Sequence, residues 1–192
     1  MSHPQLELIV AVDSKLGFGK GGKIPWKCKE DMARFTRISK EIRVCVMGKH
    51  TYTDMRDMRD MQLEKDGAEE RIKEKGILPE RESFVISSTL KQEDVIGATV
   101  VPDLRAVINL YENTDQRIAV IGGEKLYIQA LSSATKLHMT IIPREFDCDR
   151  FIPVDPIQNN FHIDSSASET VEATVDETQE RIHFATYVRN NQ

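Results

Sequence analysis

Seven apolar, β-branched runs mark out the chain: Leu6 to Val12, Ile42 to Met47, Ser83 to Ser87, Ala98 to Val101, Ile118 to Ile121, Leu137 to Ile142 and Arg181 to Val188. Each has the length of a strand and is set off by polar or turn-forming residues, so each is predicted as β. Between several of them, Lys29 to Ser39, Leu104 to Tyr111 and Lys125 to Leu131 carry apolar residues at helical spacing. Strand alternating with helix predicts an α/β domain, because parallel neighbours in a sheet need a crossover between them. From Leu137 onward the strands follow one another without helices, which predicts an antiparallel finish at one sheet edge.

One stretch breaks the pattern. Asp54 to Gly76, DMRDMRDMQLEKDGAEERIKEKG, is dense in charge and lacks strand alternation. Its charges change sign at helical spacings, so it is predicted as an exposed helical insertion. Surface insertions cost little when their ends lie close. A tolerated insertion and a partner-binding element both remain open for residues 54–76.

Composition narrows the classes. A chain of 192 residues suits one domain spanning 1–192. A net charge of −5 excludes a protein whose main business is holding nucleic acid. No apolar run approaches the roughly 20 residues of a membrane helix, and the N-terminus MSHPQLELIVAVD has neither a basic flank nor a cleavage site. A cytoplasmic monomer is expected. Cys28, Cys45 and Cys148 are odd in number and far apart, which fits free thiols and predicts neither a disulfide frame nor a metal site. His3, His138, His162 and His183 show no triad or metal spacing.

Four segments carry candidate chemistry. Gly17-Phe18-Gly19-Lys20-Gly21-Gly22-Lys23-Ile24-Pro25-Trp26 formally matches a dinucleotide fingerprint, but that motif needs a helix opening at its glycines and Pro25 disfavours one. A glycine loop that closes over a ligand and a surface hairpin anchored by Trp26 are equally compatible with it. In the next segment Asp31, Phe35 and Ile38 share one helical face with Met32 beside them. An acid in a first turn is most often a dipole or capping residue. A carboxylate on an apolar wall can also pair its two oxygens with the two N–H donors of an amidine-like edge. The last two segments, Val46-Met47-Gly48-Lys49-His50-Thr51-Tyr52 and Val120-Ile121-Gly122-Gly123-Glu124-Lys125-Leu126-Tyr127, each run from a buried strand through glycine into a helix start. Such turns suit anions, and two of them suit a dinucleotide.

Taken in order, VAVDSKLGFGKGGKIPW, EDMARF, VMGKHTY, LPER, VISS, VIGGEKLY, LHMTII and DRFIP resemble the dihydrofolate reductase family along nearly the whole chain. The resemblance implies a central eight-stranded, mostly parallel sheet flanked by helices, with an antiparallel C-terminal edge. It implies NADPH-dependent reduction of dihydrofolate to tetrahydrofolate in one-carbon metabolism, and binding of antifolate-type small molecules. By the same resemblance Asp31 holds the pteridine and helps protonate it, with Trp26 and Thr140 in support. Ile9, Val10, Met32, Phe35 and Ile121 wall the rings, and Arg81 grips the carboxylate of the substrate's tail. Ala11 and Ile24 would meet the nicotinamide, and Gly19 would also contact the cofactor. Gly48, Lys49, His50, Thr51, Ser87, Ser88, Ile121, Gly122, Gly123, Glu124, Lys125, Leu126 and Tyr127 would meet the rest of the cofactor. Two positions depart from the family pattern: Glu80 stands where glycine is usual, and Lys49 where arginine is common. A pyrimidine reductase of riboflavin synthesis shares the fold but has no need of Asp31 beside Trp26. A catalytically lapsed scaffold has no need of the set Trp26, Asp31, Arg81 and Thr140.

Overall fold

The computed structural model describes residues 2–62 and 65–190, the side chains of 59–67 excepted. Its central strands alternate their side chains between two cores. In β1 (Gln5–Val12), Leu6, Leu8, Val10 and Val12 face one side and Ile9 the other. β3 (Val44–Gly48) divides Val44 and Val46 from Cys45 and Met47, and β6 (Arg117–Val120) divides Ile118 and Val120 from Ala119. A strand buried on both faces reads as a continuous apolar run, which is why these were legible.

Helices cover both faces. α1 (Lys29–Ile42), α2 (Lys49–Gln62) and α3 (Lys65–Lys75) lie on the Ile9 side through Ile38, Ile42, Tyr52 and Ile72. α4 (Leu104–Leu110), α5 (Glu124–Leu131) and α6 (Val154–Asn160) cover the Leu8 side through Leu104, Val107, Leu126, Leu131 and Ile157. The strand order is β10 (Glu169–Val175), β11 (Thr178–Arg189), β7 (Lys136–Ile141), β1, β6, β3, β4 (Glu82–Ile86), β5 (Thr99–Val101). From β7 to β5 every neighbour is parallel, whereas β11 is antiparallel to both β7 and β10. The expected eight-stranded mixed sheet is therefore present, with a short ninth strand, β9 (Phe161–Ile163), added beside β11. A separate ribbon joins β2 (Gly17–Gly19) to β8 (Arg150–Phe151).

Among the described residues the charged insertion is helical as far as Lys75 but not wholly exposed. Just ahead of it in α2, Tyr52 is buried, its hydroxyl donating to the Ile96 carbonyl at 3.1 Å and accepting from the Ile96 amide at 2.8 Å. Ala68 is buried, and Ile72 sits in the same core as Ile77. Charge density concealed this inner stripe; residues 63–64, part of the same expectation, lie outside the described residues.

The sheet opens at one end. β1 pairs with β6 only from Gln5 to Leu8, and β3 with β6 only at Cys45 and Val46. Beyond those rungs Ile9 to Val12 keep only β7 as a partner, leaving a crevice at the strands' carboxyl ends, the usual ligand position in an open α/β sheet.

Candidate active site

Asp31 lies in the first turn of α1, which starts after Cys28 without a side-chain cap. Its neighbour Glu30 turns away, accepting from the Thr174 amide at 3.4 Å. Asp31 instead takes a hydrogen bond from the Thr140 hydroxyl of β7. Burial pushes its carboxyl above the ordinary range, opposed by that bond and by the charge of Arg34. A carboxylate driven up by desolvation in a crevice is a candidate acid or binding group.

Trp26 is buried with its ring 4.9 Å from Phe146, among Ile142, Val175 and Ile182. Its indole nitrogen has no hydrogen-bond partner among the described residues. A buried N–H left without an acceptor is costly, so this donor fits a polar ligand or a bridging water. Thus Trp26 is both the core anchor and a donor. Ile9, Val10 and Ile121 are buried, Phe35 is half-buried, and Met32 and Ile24 stand more than half exposed. Exposed large apolar side chains on α1 and the glycine loop suit the walls of a ring-binding cleft.

The loop carrying Ile24 has a fixed base, and its turn is tied to a neighbouring segment, the Gly21 amide donating to Asp149 at 2.8 Å and Lys20 pairing with Asp147 at 2.7 Å. Asp13 accepts from the Lys15, Gly17 and Phe146 amides at 2.9, 2.8 and 3.2 Å, and these bonds hold its carboxyl low against the effect of burial. A Cβ on Gly17 would collide with the Cys148 side chain. Gly19 gives its carbonyl to the Asp149 amide at 2.9 Å. Further on, Lys20 and Lys23 bridge a turn through Gly21 and Gly22, and α1 begins only at Lys29, so no helix opens at the glycines.

The two glycine turns face each other. The Gly48 amide donates to the Gly122 carbonyl at 2.8 Å, and a Cβ on Gly122, whose φ is +133°, would meet the Thr51 hydroxyl at 2.8 Å. The N-termini of α2 and α5 thereby converge, with Lys49, His50 and Thr51 in one first turn and Glu124 and Lys125 in the other. Lys49 reaches Thr89 at 3.2 Å, next to Ser87 and Ser88 at the end of β4; Ser87 accepts from the Thr89 and Leu90 amides. Backbone donors, a helix N-terminus and a lysine form a cradle suited to phosphate. Leu126 and Tyr127 depart from the expected role. Leu126 packs in the core, and the Tyr127 hydroxyl donates to the Ile9 carbonyl at 2.8 Å, so helical phase turns both side chains inward.

Arg81 sits at the other end of α1, its Nη1 donating to Ser39 at 2.8 Å and its Nε to the Pro79 carbonyl at 3.0 Å. Ser39 is eight residues beyond Asp31 in α1, which is about 12 Å along a helix axis. Glu80 takes a left-handed φ of +65°, the conformation glycine adopts freely, and pairs with Lys40 at 2.7 Å. Sequence reasoning missed Asp13, Glu7 and Arg34, the last because an arginine in a helix ordinarily reads as solvated surface.

Comparison with known proteins places this geometry. The dihydrofolate reductase family model matches residues 5–62 and 70–189. Curated dihydrofolate reductases are similar along most of both chains. That of Drosophila melanogaster is 30% identical, covering 79% of this chain and 81% of its own. That of Buchnera aphidicola is 34% identical, covering 77% and 78%. The solved structure of dihydrofolate reductase from Enterococcus faecalis, complexed with NADP(H) and RAB-propyl, superposes with a TM-score of 0.73 at 22% identity over 97% of each chain.

Proposed function

This chain belongs to the dihydrofolate reductase family, and from that premise we propose that it reduces 7,8-dihydrofolate to 5,6,7,8-tetrahydrofolate with NADPH, using Asp31 as its buried carboxylate. The observation that carries the reading is Asp31 itself, desolvated, bonded to Thr140 and set beside the exposed apolar side chain of Met32. NADPH, when bound, supplies hydride to the substrate's imine carbon.

The protein's own residues supply binding, alignment and the proton path. Asp31 presents two oxygens to the amino and ring N–H donors of a pteridine and favours its protonated form. Trp26 offers its indole N–H to the same region. Ile9, Met32, Phe35 and Ile121 clasp the rings and exclude water, whereas Val10, expected among them, turns its side chain into the opposite core and offers the site only its backbone; Ala11 and Ile24 align the nicotinamide against the rings. Arg81, steadied by Ser39, takes the tail carboxylate. Thr51, Ser87, Ser88 and Lys49, with backbone groups of Gly48, Gly122 and Gly123, hold the cofactor's phosphates. The fit rests on the converging helix N-termini and on the close approach of Gly122 to Thr51, which a Cβ would prevent.

The reading has residues 1–192 act as one domain, a cytoplasmic monomer working on folates and antifolates and not on nucleic acid; the net charge of −5 supports the last point. Among the described residues no helix is long and apolar enough to cross a membrane.

The test is the loss of NADPH near-ultraviolet absorbance on adding dihydrofolate, with NADH in parallel. Asp31→Asn is expected to slow turnover by about 100-fold or more near neutral pH while leaving NADPH binding intact. Undiminished turnover in that variant would remove Asp31 from its role, and no turnover by the folded wild type would sink the reading.

A further inference from the structure

Arg34 lies three residues beyond Asp31 on α1 and so on the same face of the helix. It is 6% exposed, and an arginine this deeply buried calls for an account of its charge. Its Nη1 donates to the Thr140 hydroxyl at 3.2 Å and its Nη2 to the Ala185 carbonyl at 3.1 Å, while the guanidinium lies 4.8 Å over the Phe184 ring. These partners are neutral. Burial lowers Arg34 to about 10, with Asp31 raising it in opposition, so it stays charged at neutral pH.

The bond to Thr140 fixes more than Arg34. A guanidinium has only donors, and a hydroxyl has one proton. Thr140 must therefore accept from Arg34, and its single proton is left for the Asp31 carboxylate, the bond that Asp31 receives. We propose that Arg34 is a positioning residue of the active site: it locks the Thr140 hydroxyl as a donor to Asp31 and, with its own charge, holds that carboxyl toward the anion.

Other charges face the pair. Tyr127 of α5 and Cys28, just ahead of α1, both feel Asp31. Around Arg34 stand Arg37 of α1 and Glu169 of β10. Behind it a groove of about 420 Å³ brings in His138, the cations Lys136 and Arg117, and the anions Glu41 and Asp164. Arg34 alone among these groups bonds Thr140. Its role in turnover rests on the reading of the site as a dihydrofolate reductase; its control of Asp31 rests on these three side chains.

The experiment follows the Asp31 carboxyl directly. Protein labelled with ¹³C at aspartate carboxyls is titrated by NMR, with Asp31→Asn identifying the signal. Arg34→Met is expected to raise the Asp31 midpoint by about one pH unit or more, the usual scale for losing an opposite charge and its hydrogen bond. Arg34→Lys, which keeps charge without the planar fork, should fall between. Coincident midpoints in wild type and Arg34→Met would overturn the proposal. Should Arg34→Met not fold, Thr140→Val removes the hydroxyl and leaves the cation; its midpoint must also rise, and an unmoved one overturns the relay. In active enzyme the rate falls as pH climbs through the Asp31 midpoint, so this limb should move to higher pH in Arg34→Met by the same amount. Wild type without turnover would defeat the functional reading, while the titration still decides the role of Arg34.

Discussion

Glu7 has no exposed surface, yet it sits in a central strand as a carboxylate. It keeps its charge through Arg117 from β6, at 2.6 and 3.0 Å, and His138 Nε2 from β7 at 2.7 Å, with Arg117 reaching on to Glu41 of α1 at 2.9 Å. Burial alone would raise Glu7, but the bonds from His138 and Arg117 hold it down at about 2, against an ordinary 4.5. A folded value below the unfolded one means stability present above pH 4.5 and lost as pH falls toward 2. At about 1.4 kcal/mol per pH unit the contribution is about 3 kcal/mol. Urea unfolding from pH 5 down to 2 should show wild type losing that much more than Glu7→Gln, and parallel curves would refute it. Glu80 offers a second test at this scale. Its left-handed backbone sets a carboxylate close enough to Arg81 for their charges to interact. Glu80→Gly keeps the turn and removes that competitor, so KM for dihydrofolate should fall with kcat unchanged, as for a group acting on ground-state binding alone. A raised KM would show that the tail is not held at Arg81.

Elements were legible wherever burial was symmetrical or strictly one-sided. The seven apolar runs all became strands, and the spacing of Asp31, Phe35 and Ile38 predicted α1, which runs on to Ile42 before Arg43 ends it at a φ of +73°. The strand β10 was not legible. ETVEATV carries two glutamates and has β11 as its one strand partner among the described residues, besides a single bridge from Val175 to Cys28, and the hairpin closes through Asp176 and Glu177, both at positive φ without a glycine to announce the turn. The charged insertion was read correctly as helix and incorrectly as exposed, since Ala68 and Ile72 are too few apolar positions to register against so many charges. That difference is measurable. Ile72→Ala should cost about 3 kcal/mol as a core truncation, whereas Arg71→Ala, one residue away and exposed, should change stability by less than about 0.5 kcal/mol. Equal small effects in chemical denaturation would return the insertion to a dispensable surface decoration.

At the scale of the whole molecule, the site exists only because distant segments meet. Ile9, Asp31, Gly48, Ile121 and Thr140 belong to β1, α1, β3, the end of β6 and β7, and the sheet interleaves them out of chain order. Periodicity gives elements without their order, so the individual residues were readable while their assembly came only through family resemblance. Arg34 escaped both, because its burial depends on β7 and on β11, 106 and 151 residues downstream. A site assembled this way has no counterpart in the unfolded chain, so a ligand that binds it must stabilise the fold as a whole. NADPH at a hundredfold excess over its dissociation constant should add about 2.7 kcal/mol, a rise in Tm of roughly 5–10 °C for a chain of this length. Gly122→Ala, which drives a Cβ into Thr51 at 2.8 Å, should largely abolish that increment, beyond any lowering of the ligand-free Tm. Thermal unfolding of both proteins with and without NADPH separates the two effects. An increment preserved in Gly122→Ala would mean that the cofactor lies elsewhere than between the N-termini of α2 and α5.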